Sequence, residues 1–196
     1  MKKFIFKLIL IVSVLTLSQG LTSCNYNSLV EERQNVDQAW AQVENQYQRR
    51  ANLIPNLVNT VKGYSTHESE TLEKVTEARA KATSITINAD DLNEENLAKY
   101  QQAQNDLSGA LKSLLAVTEA YPDLKANENF MNLQTQLEGT ENRISTEIMR
   151  YTEAVKNYNT AIQKFPTNIY AGWFGFTPKP QFKAQAGAEY APEVKF

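Results

Sequence analysis

From Leu29 the chain steps by alternating fours and threes: Leu29, Arg33, Val36, Trp40, Val43, Tyr47, Arg50, Ile54, Leu57, Val61. A second run does the same through Leu137, Glu141, Ile144, Ile148, Tyr151, Val155, Tyr158, Ile162 and Phe165. Side chains at that spacing fall on one stripe of a helix, and a stripe kept over so many turns must be covered by other helices. This pattern restricts the fold more than any other feature, because strands need alternation with a period of two. The expectation is an all-α chain with coiled-coil-like seams.

Two shorter stripes lie between the long ones. Leu72, Val75 and Ala78 mark one, and Leu97, Tyr100, Leu107, Leu111, Leu114 and Tyr121 mark the other. Gly63 ends the first long run, and Ser65-Thr66 with Glu68 behind them read as a cap for the next helix. Asn93 before Glu94-Glu95 suits the start of a third. Pro122 stops that helix and Pro166 stops the last. The predicted helices cover about 27–62, 66–88, 93–121 and 125–165, with an irregular aromatic and proline-rich tail over 167–196 and disorder from near Gln185.

Short turns between long helices favour an elongated antiparallel up-down four-helix bundle over 24–166. The first and last helices would be roughly 55–60 Å long at 1.5 Å per residue and would extend past the other two. Placing Lys62 and Lys125 together at the far tip sets residue i of the first helix level with 187 − i of the fourth. Arg50 then lies near Leu137 and Glu138, and Trp40 near Glu147 and Ile148.

The N-terminus is of another kind. Met1-Lys2-Lys3 precedes an apolar run from Phe4 to Leu17 that contains Lys7, then small residues leading to Leu21-Thr22-Ser23-Cys24. A basic start, a short apolar stretch and small residues before a cleavage point describe an export signal over 1–23. The run is also shorter than the ~20 residues a spanning helix needs. Leu-Thr-Ser-Cys resembles the lipobox of bacterial lipoproteins, in which the cysteine is acylated; an ordinary cleavage site beside a lone cysteine is the alternative. With one cysteine there is no intramolecular disulfide, so stability must come from a core. Loss of Lys2, Lys3 and Lys7 leaves 17 of the 20 basic residues against 22 acidic ones, a balance of −5. That gives no electrostatic reason to expect nucleic acid as a partner.

Three blocks carry a family resemblance: "YNSLVEERQNVDQAWAQVENQYQRRANLIPNLVNTVKGY", "YPDLKANENFMNLQTQLEGTENRI" and "AVKNYNTAIQKFPTNIYAGWFGF". From Tyr26 to about Phe176 the chain resembles the LemA family, whose members are small bacterial envelope proteins, largely helical bundles, usually held by an N-terminal membrane segment. The resemblance implies that fold and a cell-envelope location; the lipobox departs from a plain spanning segment.

Several residues stand out from the seams. Arg49, Arg50, Glu138 and Glu141 are either solvated charges or a partly buried cluster fixing the register of the first helix against the fourth. Pro55 either kinks one continuous helix or opens a second one after Leu53. Gly139, level with it, would permit close approach. Tyr170, Trp173, Phe174 and Phe176 either fold back on the bundle or face a bilayer surface, where aromatic rings are favoured. Gly63, Tyr64, Tyr121 and Pro122 form a tip available to an envelope protein partner.

Chemistry is sparsely provided for. His67 is the one histidine, set in a turn beside Glu68 and Glu70, so neither a di-iron bundle nor a zinc site can be assembled from His and Cys ligands. No Gly-rich phosphate loop or nucleophile elbow occurs. The expectation is a lipid-anchored scaffold or interaction module with no catalytic residues, metal or cofactor. The alternative is a regulatory partner of a membrane enzyme such as a protease, or a hydrolase in its own right.

Overall fold

The computed structural model describes residues 2–64 and 68–183, with side chains from Tyr26 onward. The Cys24 side chain, Ser65, Thr66, His67 and the segment from Gln185 fall outside the described residues. The described residues are all-helical: α1 Lys2–Lys62, α2 Ser69–Ser84, α3 Glu94–Thr118, α4 Pro122–Lys125, α5 Glu128–Gln163 and α6 Thr167–Tyr170, with 3-10 turns at Ala89–Asp91 and Ala171–Phe174.

The helix ends differ from expectation for local reasons. α1 does not begin near Asn27; no proline interrupts the preceding residues and the helix runs from Lys2. α2 starts at Ser69 and stops at Ser84, where Ile85 turns extended. Asn93 caps α3 by accepting from the Asn96 amide at 2.9 Å. α3 ends at Thr118, short of Tyr121, and Pro122 opens α4 in the first-turn position where its missing N–H does no harm. The last long helix begins only at Glu128, because the Asn127 side chain accepts from the Phe130 amide at 3.0 Å and serves as its cap. It ends at Gln163, and Phe165, expected on the seam, is 80% exposed. The residue before a proline avoids helical backbone, which explains the early stop.

Contacts divide the chain into two units, Met1–Gln38 with Glu153–Lys179, and Ala39–Thr152 with Pro180–Phe196. In the first, Leu29, Val36, Val155, Tyr158, Ile162, Ala171 and Phe176 are buried. The tail, expected to be irregular from Thr167, carries α6 and a 3-10 turn before Gly175. Gly175, with φ +75°, takes the left-handed turn that lets the Phe176 amide return to the Ala171 carbonyl at 3.0 Å. Phe176 then packs edge-on to Tyr26 at 5.6 Å, and the Arg33 guanidinium sits over its ring at 5.3 Å. Asn159 clamps the Lys179 backbone with two hydrogen bonds of 2.9 Å.

The second unit holds the main apolar core: Ile54, Leu57 and Val61 of α1, Leu72 and Val75 of α2, Leu107, Leu111 and Leu114 of α3, with Leu124, Phe130, Leu133 and Leu137. An aromatic cluster adjoins it. Trp40 lies 5.3 Å from Tyr100, 5.6 Å from Tyr151 and 6.2 Å from Phe182, and its indole N–H donates to the Ile87 carbonyl at 3.2 Å.

The register of α1 against α5 within this unit is offset by one turn. Arg50 meets Glu141 where Leu137 was expected, and Trp40 meets Tyr151 where Glu147 was expected. Both partners lie four residues further on. The displacement follows from α4, a separate helical turn where the sequence reading placed the start of the last helix.

Candidate functional site

Among the described residues the fully buried polar side chains are Arg50, Gln104, Thr118, Thr140 and Thr167, and of these only Arg50 is charged, at 1% exposure. It lies on α1 between Tyr47 and Ile54, so the helix that buries the apolar seam necessarily buries the guanidinium. Its neighbours answer nearly every N–H. One terminal nitrogen donates to Ser108 Oγ at 2.6 Å and to Glu141 Oε1 at 2.7 Å. The other donates to the Gln104 carbonyl at 3.1 Å and to Gln104 Oε1 at 2.7 Å. Nε is buried with no partner among the described residues. The carbon stem passes the Tyr47 ring, with the guanidinium carbon 5.1 Å from its centroid. Gln104 also reaches the Ala82 carbonyl of α2 at 3.5 Å, so the centre touches α1, α2, α3 and α5.

Such a centre is unequal across its ion pair. The arginine is enclosed, whereas the Glu141 side chain is 45% exposed. Water can therefore share the carboxylate, and the neutral acceptor oxygens from α3 do much of the work of solvating the cation. Burial pushes the Tyr47 hydroxyl up to about 12, with Arg50 pulling it down and Glu141 raising it again. Tyr100 is raised too, first by burial and then by the Glu44 charge. Both phenols are neutral at physiological pH and act as packing and hydrogen-bonding groups, not as bases.

Of the four expected cluster residues, Arg50 and Glu141 meet. Arg49 and Glu138 do not join them: each is one position off the seam and points to solvent. Glu138 accepts from Gln134 at 3.1 Å. Glu138 and Glu141 edge an open groove of about 510 Å³ between α3 and α5, floored by Leu111, Leu115 and Leu137. Gly139 permits no close approach, since a Cβ there would find nothing within 4 Å; the adjacent Thr140 is the buried residue.

Helix α1 continues through Pro55. Proline has no N–H to give the carbonyl of Ala51, and that carbonyl is instead capped by Nε of Arg79 from α2, at 2.8 Å. The sequence reading missed Arg79, Gln104 and Ser108. Gln104 had a signal: steps of seven from Leu97 land on Gln104, Leu111 and Thr118, so it breaks its seam as Arg50 breaks its own. Arg79 had none, because its role depends on which carbonyl the neighbouring helix leaves open.

A second polar feature is a cleft of about 280 Å³ lined by Glu44, Tyr47, Thr83, Tyr100 and Gln104. Burial raises the Glu44 carboxyl, and the nearby Trp40 indole N–H partly lowers it again. At the loop end of this unit, the Tyr64 hydroxyl accepts from Asn127 at 2.8 Å, and Tyr121 donates to Glu68 at 3.1 Å. Gly63 and Pro122 beside them are exposed. Of the expected membrane-proximal rings, Trp173 and Phe174 are exposed, but Phe176 is core and Tyr170 has its hydroxyl enclosed. Among the described residues no group of three or more His, Cys, Asp and Glu is placed to hold a metal ion, and no helix is long and apolar enough to cross a membrane.

The LemA family model matches residues 39–196, which contain the whole Arg50 centre. The chain belongs to the LemA family. The match reaches the C-terminus, so it takes in the tail segment that packs Phe182 against Trp40. Protein LemA of Metamycoplasma hominis is 26% identical over 145 residues, 74% of this chain and 63% of that protein. The chain thus spans less than two thirds of the length of that LemA relative. Magnetosome protein MamQ 2 of Paramagnetospirillum magneticum is 26% identical over 92% of this chain and 74% of its own length. Magnetosome protein MamQ of Magnetospirillum gryphiswaldense is 26% identical over 87% and 70%.

Proposed function

We propose that this LemA-family chain is a lipid-anchored scaffold or protein-interaction module of the bacterial cell envelope. Cys24 carries the lipid, and the long helices α1 and α5 combine with α2 and α3 as an antiparallel up-down four-helix bundle. The observation that carries this reading is how Arg50 is used. Arg50, the one fully buried charged side chain among the described residues, directs its four hydrogen bonds to Ser108, Gln104 and Glu141, all within its own fold. A catalytic or ligand-binding arginine keeps donors free for a substrate; this one fixes helices against each other. The LemA and magnetosome relatives support a membrane-associated setting.

The interaction surface is the tip formed by Gly63, Tyr64, Tyr121 and Pro122, where Tyr64–Asn127 and Tyr121–Glu68 hydrogen bonds hold two rings in fixed positions. Its partner is an envelope protein. Two measurements test the reading. Palmitate labelling should be present in the native chain and lost in Cys24→Ser, which should also leave the membrane fraction. Crosslinking from native membranes should lose its main protein adduct in a Tyr64→Ser/Tyr121→Ser variant. An unlabelled native chain rejects the lipid anchor, and an adduct unchanged by the tip substitutions moves the interaction surface elsewhere.

A further inference from the structure

The first unit turns several of its largest apolar side chains outward. Trp173 is 81% exposed, and Phe165, Ile169 and Phe174 are exposed beside it in the chain. Phe165, Ile169 and Trp173 recur every four residues through the turn before α6, α6 itself and the 3-10 turn that continues it. Phe174 meets the half-exposed Tyr26 edge-on at 5.4 Å, which ties this surface to α1. Below it the fold is closed: Phe176 is buried between Tyr26 and Arg33, and Ala171 and Thr167 face inward. The outward rings are therefore not unsatisfied core; they are held outward on a packed base.

Two further facts select the occupant. Tyr26 follows Cys24, the residue proposed to carry the lipid, by two residues, so the patch lies beside the anchor. The segment that carries Phe165, Ile169, Trp173 and Phe174 has no carboxylate between Glu153 and Glu189, while Lys156 and Lys164 are exposed; on α1 the exposed Glu31 lies five residues past Tyr26. Large aromatic rings with lysines in the same segment suit the headgroup region of a bilayer, where indole and phenol rings are favoured. A single acyl chain gives only marginal membrane binding, so an anchored protein gains from a second contact.

We propose that Phe165, Ile169, Trp173, Phe174 and Tyr26 form a bilayer-surface contact that seats the first unit on the membrane beside its anchor. This rests on the reading that the chain is membrane-held near Cys24, and it names what the adjoining surface touches. Phe176 and Tyr170 take no part.

The test uses the full chain, which has two tryptophans, Trp40 in the core and Trp173 in the patch. The chain is floated with phosphatidylcholine–phosphatidylglycerol vesicles carrying a quencher on the upper acyl chain, and the signal of Trp173 is taken as native minus Trp173→Phe. Trp173 should be quenched from the lipid and its quenching by aqueous iodide should fall several-fold on vesicle binding. A Phe165→Ser/Ile169→Ser variant should restore iodide access to Trp173 while the chain still floats. A floating chain whose Trp173 stays open to iodide overturns this contact and leaves the anchor standing. Shielding from iodide without lipid quenching assigns the patch to a protein and overturns it as well. A chain that does not float overturns both the contact and the anchor.

Discussion

Two arginines occupy the same stripe of α1, and the protein uses them differently. Arg33 is half-buried and lies over the Phe176 ring. Arg50 is enclosed, and side chains from α3 and α5 replace its hydration. A charge on a packing seam is thus not one kind of feature. Where the opposing chain is a folded-back loop, as at Arg33, the cation closes over an aromatic ring. Where helices cover it, the two terminal nitrogens take acceptors from specific positions such as Gln104 and Ser108, and Nε is left without one among the described residues.

The contrast breaks most sharply under truncation. Arg50→Ala should cost about 3–5 kcal/mol, because it empties a packed volume and leaves the buried Gln104 side chain without the cation it accepts from. Denaturant unfolding should show it, and a loss below 1 kcal/mol would mean the centre is wet. The neighbouring Tyr47 should impose a high-pH dependence. Its folded value is raised above the ordinary 10.0 to about 12, so its contribution is intact below pH 10 and is lost as pH rises toward 12. Tyr47 should account for on the order of 2 kcal/mol of the loss across that interval, and Tyr47→Phe should remove that share while the part due to the raised Tyr100 stays.

A smaller effect separates charge from backbone chemistry. Arg79→Met should cost about 1–2 kcal/mol by uncapping the Ala51 carbonyl. In a Pro55→Ala background the restored N–H can take that carbonyl, so the same substitution should cost much less; equal losses in both backgrounds would refute the capping role. Arg33→Ala should cost only about 0.5–1 kcal/mol, the range of a partly exposed cation–π contact. The smallest effect has the opposite sign. Gly139→Ala should stabilise by roughly 0.5–1 kcal/mol, since helical glycine is unfavourable and the added methyl meets open space.

The same contrast explains what could be read from sequence. Helix type and the buried stripes were legible because a repeat such as Trp40, Val43, Tyr47, Arg50 is local and each member reinforces the next. The pairing of Arg50 with a carboxylate on the last helix was foreseeable, but its register missed by one turn because the Pro122–Asn127 connection forms its own helical turn. Phe182 against Trp40 was not legible: nothing local ties a ring in a proline-rich tail to a seam more than a hundred residues earlier. Gly139 was misread for the converse reason, since a missing side chain says nothing about whether a neighbour is close.

The central claim is that the Arg50 centre is architecture, a polar layer whose members satisfy one another. The direct measurement is unfolding of Arg50→Ala beside a triple change that replaces the layer with apolar groups, Arg50→Met/Gln104→Leu/Glu141→Leu. Replacing a buried ionic group together with its partners is often near neutral, whereas removing one member is not. The triple variant should therefore recover most of the stability lost in the single one and keep the native helical signal. A triple variant as unstable as Arg50→Ala would contradict the account.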